Sequence, residues 1–224
     1  MGRTIFIGDV HGCADELREL LDVLDFKPKV DHIYLTGDAF TKGPDPLGVW
    51  KVIDHVCAKM VMGNHDEALL ERLKIRIKGK EKKMKPAHKK TLDAVMPVID
   101  DLVPWIENLP MYIETDTFLL VHAGIHPQKE LRGTSRDEFL TIRTWPPQKG
   151  IDGPRWHDVY HPIRPLLVFG HDAPGGLVIK RKKDKPYLVG LDSGCVYGNA
   201  LSAFIAEEAR IVQVKSRQPE QFFD

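Results

Sequence analysis

The stretch TIFIGDVHG, residues 4–12, passes from four residues of strand character into a carboxylate and an imidazole, Asp9 and His11, flanked by glycines. The same passage recurs along the chain. HIYLTGD (32–38) ends in Asp38, KMVMGNHD (59–66) in Asn64 and His65, FLLVHAG (118–124) in His122, and LLVFGHD (166–172) in His171. Apolar runs of this length without strict alternation suit strands covered on both faces, as in α/β proteins. Helical spacing between the first three runs implies right-handed crossovers and strands that point the same way. The polar clusters then gather at carboxyl ends of strands along one edge of the sheet, where open α/β sheets bind ligands.

Working outward, Leu17, Leu20, Leu21 and Leu24 give one buried helix face, with Pro28 just past its end. Pro44 and Pro46 suit the opening of a helix that runs to about His55. A third helix is expected from Glu67 to about Lys78, and Thr91, Leu92, Val95, Met96, Ile99, Leu102 and Val103 predict another, interrupted at Pro97. The C-terminal third reads as two hairpins, turning around Asp184-Lys185-Pro186 and at Glu207-Glu208, with a loosely held tail after Lys215. One domain over 1–224 is expected from this length.

Lys+Arg and Asp+Glu both number 32, which removes any whole-chain electrostatic argument for a nucleic-acid partner. The segment 74–90 nevertheless holds nine basic residues against Glu81, either a solvated face or a contact for a polyanion. Cys13, Cys57 and Cys195 form no C-x-x-C pair, so a metal must be held by nitrogen and oxygen. No apolar run reaches membrane length, and the first residues lack a signal-peptide layout, so the expected location is cytoplasmic.

Asp9 and His11, two apart, project together if the backbone stays extended there. The wider set of Asp9, His11, Asp38, Asn64, His122 and His171 holds too many hard or borderline donors for one ion and fits two adjacent ones. Two metals about 3.5–4 Å apart can clamp a phosphoryl group, with Asp38, on the central of the first three strands, as the bridge.

The motifs GDVHG (8–12), GDAFTKGP (37–44), GNHD (63–66), HAG (122–124) and GH (170–171), in this order over roughly residues 4–206, resemble the dinuclear metallophosphoesterases of the phosphoprotein phosphatase type. Within them, the chain is most similar to the bacterial branch of diadenosine tetraphosphatases and small serine/threonine phosphatases. That resemblance implies an α/β fold, a four-layer αββα sandwich with mixed sheets. It implies that Asp9, His11 and Asp38 hold one metal and Asp38, Asn64, His122 and His171 a second. Manganese is the first expectation, with iron and zinc also compatible with these donors. It further implies a metal-held water as nucleophile and His65 as the general acid that protonates the leaving oxygen.

The resemblance breaks at two positions. Where the protein phosphatases carry an aspartate that steadies the catalytic histidine and an arginine that grips phosphate, this sequence has Thr41 and Lys42. Lysine keeps the charge and loses the two-pronged geometry. This favours a dinucleoside polyphosphate or a small phosphomonoester as substrate, over the alternative of a serine/threonine phosphoprotein phosphatase. A different class, a non-catalytic polyanion- or RNA-binding module on the same fold, uses the basic 74–90 segment instead. Arg143 is the candidate for a second phosphate contact, in competition with a role in bracing the turn at Pro146-Pro147. Asp66 and Asp172 read as supporting or capping groups. His126, His157 and His161 read as loop histidines, and Trp145, Trp156 and Tyr197 as packed aromatics or stacking surfaces for a base.

Overall fold

The computed structural model describes residues 2–80, 83–148, 153–161 and 165–222. Alternate residues of each inner strand face different cores, so the sheets are buried on both sides. In β1 (Thr4–Ile7), Ile5 and Ile7 pack against helices while Phe6 faces the other sheet. In β5 (Leu119–Val121) and β6 (Leu167–Phe169), Leu120 and Val168 join Phe6 in that central core, and their neighbours face outward. Continuous burial with alternate residues in different cores is the signature of a sheet covered on both faces.

The first sheet has the order β10-β9-β1-β2-β3. Its strands β1, β2 (His32–Leu35) and β3 (Lys59–Met60) are parallel, and β9 (Ala200–Ile205) and β10 (Arg210–Lys215) return as an antiparallel hairpin. The second has the order β4-β5-β6-β8-β7, in which β5, β6 and β8 (Lys185–Gly190) run parallel, flanked by antiparallel β4 (Tyr112–Glu114) and β7 (Val178–Lys182). Helices α1 (Ala14–Val23), α2 (Pro46–His55), α3 (Asn64–Ile77), α4 (Pro86–Val95) and α5 (Ile99–Glu107) cover the first sheet. The short α6 (Glu130–Gly133) and α7 (Arg136–Thr141) pack with Trp156 on the second. The result is the expected αββα layering with mixed sheets.

Three details differ from the sequence reading. The five polar clusters lie on the edges of two stacked sheets, three at the ends of β1–β3 and two at the ends of β5 and β6, where a single sheet was expected. The helix over 91–103 begins earlier, at Pro86, and divides at a 3-10 turn containing Pro97. The tail is anchored, because Glu16 accepts hydrogen bonds from the Arg217 backbone (2.8 Å) and the Gln218 amide (3.0 Å). In the basic segment, Lys74 pairs with Glu107 and Lys89 with Asp93, while Glu81 and Lys82 lie outside the described residues. Among the described residues, no helix is long and apolar enough to cross a membrane.

Candidate active site

Three of the predicted donors sit in left-handed backbone, which side-chain-bearing residues rarely adopt: His11 at φ 46°, Asp38 at φ 53° and His171 at φ 67°. The chain therefore does not stay extended through Asp9 and His11 but turns at His11. Such backbone persists only where the surroundings over-determine it. Here the loops brace one another. The His11 N–H donates to the Asp38 carbonyl (2.9 Å), the Asp38 and Ala39 N–H groups donate to the Asp66 carboxylate (2.6 and 3.1 Å), and the His171 N–H donates to Asp9 Oδ2 (3.0 Å). Two glycines let the loops approach this closely: a Cβ on Gly63 would stand 2.1 Å from Asp38 Oδ1, and one on Gly170 2.0 Å from Asp9 Oδ1.

The side chains gather around Asp38. Ligand atoms of His11, Asp38 and His65 lie within 4.8 Å of one another, and so do those of Asp38, His122 and His171. Asp38 Oδ2 is 3.7 Å from His11 Nε2 and 3.5 Å from His122 Nε2. Asn64 Oδ1 is 3.0 Å from His122 Nε2. Asp9 stands behind this set, accepting from the Thr36 hydroxyl (2.7 Å) as well as from His171. Thr41 turns its hydroxyl to His11 Nδ1 (3.4 Å).

The hydrogen bonding fits cations at this spot. His122 Nδ1 lies 2.8 Å from the Thr36 carbonyl, which can only accept, so Nδ1 carries the proton and Nε2 offers a lone pair. Nε2 in turn lies 3.0 Å from Asn64 Oδ1 and 3.5 Å from Asp38 Oδ2, three atoms close enough to share one positive ion. His171 Nε2 is buried with no partner among the described residues. A buried polar atom without a partner is costly and calls for a ligand. The neutral imidazoles, carboxylates and amide are the donor types that manganese, iron and zinc accept.

Burial sets the electrostatics. It pushes the Asp9 and Asp38 carboxyls up from their ordinary range, with neighbouring carboxylates adding to the effect at Asp9. It pushes His11 and His171 down, His122 to about 4 and His65 to about 3, with Lys42 contributing at His11 and His65. Both trends disfavour charge in the metal-free protein, and bound cations reverse the carboxylate trend.

A cavity of about 20 Å³ opens here, lined by His11, Asp38, Lys42, His65, Arg143 and His171 among others. Lys42 donates to the Tyr197 hydroxyl (2.7 Å) and lies 5.0 Å from the centre of that ring. Arg143 donates to the His171 carbonyl (3.2 Å) and approaches Asp172 (3.8 Å), whose other oxygen pairs with Arg155 at 2.8 Å. Of the lesser candidates, Trp156 is in the core beneath Gly124, donating to the Ala123 carbonyl, and His157 is buried against Phe169. His161 is exposed. The sequence reading missed Asp192, which lines the same cavity, is pushed up to about 6 by burial, and interacts electrostatically with Asp38. Its signal was present: YLVGLDSG (187–194) is another apolar run ending in a carboxylate beside glycine, and β8 runs parallel to β6.

A family model for the calcineurin-like phosphoesterases matches residues 2–201. The chain belongs to this family. The phosphoesterase is thus an enzyme that hydrolyses phosphoester or phosphoanhydride bonds, and its family implies divalent metal ions. It is 29% identical to the symmetrical bis(5'-nucleosyl)-tetraphosphatase of Edwardsiella ictaluri over 96% of each chain. It is also 29% identical to the asymmetrical bis(5'-nucleosyl)-tetraphosphatase of Halalkalibacterium halodurans, over 95% of this chain and 94% of that one. A crystal structure provisionally described as a diadenosine tetraphosphatase matches with a TM-score of 0.75 at 32% identity, covering 96% of this chain and 94% of that chain. A protein serine/threonine phosphatase from Saccharomyces cerevisiae shares the fold at a TM-score of 0.64 and 14% identity, over 100% of this chain and 82% of that chain.

Proposed function

We propose that the phosphoesterase hydrolyses a phosphoanhydride bond of a dinucleoside polyphosphate at a dinuclear centre. The observation that carries the centre is the convergence of donor atoms on Asp38: His122 Nε2 lies 3.5 Å from its Oδ2 and 3.0 Å from Asn64 Oδ1, and His171 Nε2, in the same cluster, is buried without a partner among the described residues. In this reading Asp9, His11 and Asp38 hold one cation and Asp38, Asn64, His122 and His171 the other. Such ions supply charge neutralisation at phosphorus and a water acidic enough to attack at neutral pH.

The chain's own residues do the rest. Lys42 and Arg143 put positive charge on the cavity wall, where a phosphate chain enters. Asp66 and the Thr36 hydroxyl hold the Asp38 and Asp9 loops in place. His65, against Asp38 through its backbone N–H (2.9 Å), hands a proton to the leaving oxygen. Burial and Lys42 keep it neutral at rest, and the negative charge of an entering phosphate chain opposes that.

Both curated relatives named above are tetraphosphatases, which supports the anhydride substrate. The alignment to the asymmetrical relative spans 236 positions and that to the symmetrical one 278, at almost the same share of this chain, so the symmetrical enzyme carries more inserted sequence. On that ground we expect unequal cleavage of diadenosine tetraphosphate, to AMP and ATP. The test is chromatography of products from protein reconstituted with manganese, iron or zinc, with metal content measured on the same sample. Asp38→Asn should abolish turnover without unfolding the chain. Full activity in that variant, or turnover of phosphopeptide but not of the dinucleotide, ends this reading.

A further inference from the structure

The metal cavity is about 20 Å³, room for little beyond ions and water, so most of any substrate must lie outside it. A second cavity, of about 250 Å³, shares one lining residue with it, Arg143. This groove runs between the α7 residues Asp137, Glu138 and Thr141 and the segment Thr144, Trp145 and Pro147.

Its geometry is fixed by the backbone. Thr144 forms an antiparallel bridge with Arg155, flanked by hydrogen bonds from Trp145 N–H to the Pro154 carbonyl (2.8 Å) and from Trp156 N–H to the Arg143 carbonyl (3.0 Å). Arg143 and Trp145 are thus two apart across an extended residue, and both residues line the groove. The half-buried Trp145 indole is backed by the His126 ring, 4.4 Å between centroids. That imidazole is itself held, because its Nδ1 accepts from the Gln128 and Lys129 N–H groups (3.2 and 3.1 Å). An aromatic surface braced in this way loses little freedom when a second ring stacks on it.

We infer that this groove is a nucleoside subsite. A base stacks against Trp145, and Arg143 at the boundary takes the phosphate that joins the nucleoside to the reacting chain. Charge complementarity selects this occupant. Asp137 and Glu138 repel phosphate from the groove itself, whereas a nucleoside is neutral there and its hydroxyls donate to carboxylates. The inference deepens the dinucleoside reading and rests on it.

The experiment compares kcat/KM for diadenosine tetraphosphate with that for inorganic tripolyphosphate, which has no base, in the metal-loaded full-length protein. Loss of one base–aromatic stack lowers the ratio by about tenfold or more in Trp145→Ala, while Trp145→Phe keeps most of it. Misfolding lowers both substrates together and leaves the ratio unchanged, so an unchanged ratio in a Trp145→Ala protein with native circular dichroism overturns the subsite. A second readout is the quenching of tryptophan fluorescence by AMP, expected in the wild type and lost in Trp145→Phe. If the wild type hydrolyses tripolyphosphate and not the dinucleotide, the dinucleoside reading fails, and the AMP titration alone decides the groove. Quenching equal in both proteins, or absent from the wild type, refutes it.

Discussion

Removing the carboxylate of Asp66 should unfasten the centre without touching a proposed metal ligand. Asp66 is fully buried, and its two oxygens accept from the backbone N–H groups of Asp38 and Ala39. Those bonds hold Asp38 in its left-handed conformation. In Asp66→Ala both donors lose their partner in a place water reaches only through the small cavity left behind. Each buried unsatisfied donor costs about 1–3 kcal/mol, so the variant should lose roughly 3 kcal/mol, allowing one water to recover part of it. For a chain of this size that corresponds to a fall in Tm of about 6–12 °C. Asp66→Asn keeps one acceptor and sets an NH₂ against the other N–H, so it should fall between wild type and Ala. Urea denaturation gives the stability order, and calorimetric titration with manganese gives the affinity, which should fall along the same order as Asp38 drifts from its neighbours. An Asp66→Ala protein within about 1 kcal/mol of wild type, the floor for a single buried donor, refutes the account. So does one that is destabilised yet binds manganese as tightly, because the link from Asp66 to the Asp38 carboxylate would then be absent.

Three further outcomes follow from the structure. The Asp31 carboxyl, buried and hydrogen-bonded first of all by the Arg3 guanidinium, is held down to about 2. Its folded value lies below its unfolded one, so about 2 kcal/mol of stability is present above pH ~4 and is lost as pH falls toward 2. Urea midpoints at pH 5 and pH 2.5 should show the gap between wild type and Asp31→Asn closing at the lower pH; a constant gap contradicts this. Gly170→Ala drives a Cβ to 2.0 Å from Asp9 Oδ1 and 2.6 Å from the Thr36 hydroxyl, displacing Asp9. Manganese content after dialysis should drop along with turnover, and full retention of both would show that the loop yields elsewhere. His65→Ala should slow substrates with poor leaving groups most, since a leaving group that is already acidic needs no proton. Equal losses across a series of aryl phosphates would remove the acid role.

Much of this was readable from the chain because the proposed metal donors stand at the ends of strands, where apolar run, glycine and polar residue follow one another in a fixed order. The apolar runs marked β1, β2, β5 and β6, and the interruption at Pro97 marked the division between α4 and α5. What sequence could not give was which sheet a strand joins. Apolar runs covered on both faces look alike in either sheet, so β5 and β6 were assigned to the same edge as β1–β3. Asp192 was overlooked for a related reason: its strand, β8, is paired to β7 as a hairpin and to β6 in parallel, and only the hairpin is local in sequence. Thr41 shows a third kind of limit. Its position in the motif placed it near His65, whereas the turn geometry gives its hydroxyl to His11.

The same geometry explains why the site costs stability and is nonetheless retained in the fold. Asp9, Asp38 and Asp192 are buried carboxylates pushed up, and His11, His122 and His171 are buried imidazoles pushed down. Bonds to backbone or hydroxyl groups fix several of them in position: Thr36 with Asp9 and His122, Asp66 with the Asp38 loop, Gly194 with Asp192. A protein tuned for stability alone would replace these groups with apolar residues of similar volume. Here the hydrogen bonds hold lone pairs toward a common centre, and the strain at φ 46°, 53° and 67° is set against that arrangement. Cations would relieve the repulsion among the carboxylates of Asp9, Asp38 and Asp192 and contribute their binding free energy to the folded state, so metal and fold stabilise each other. Metal-free protein should accordingly loosen first in the loops after β1, β2 and β6, ahead of the strands whose cores are closed on both faces.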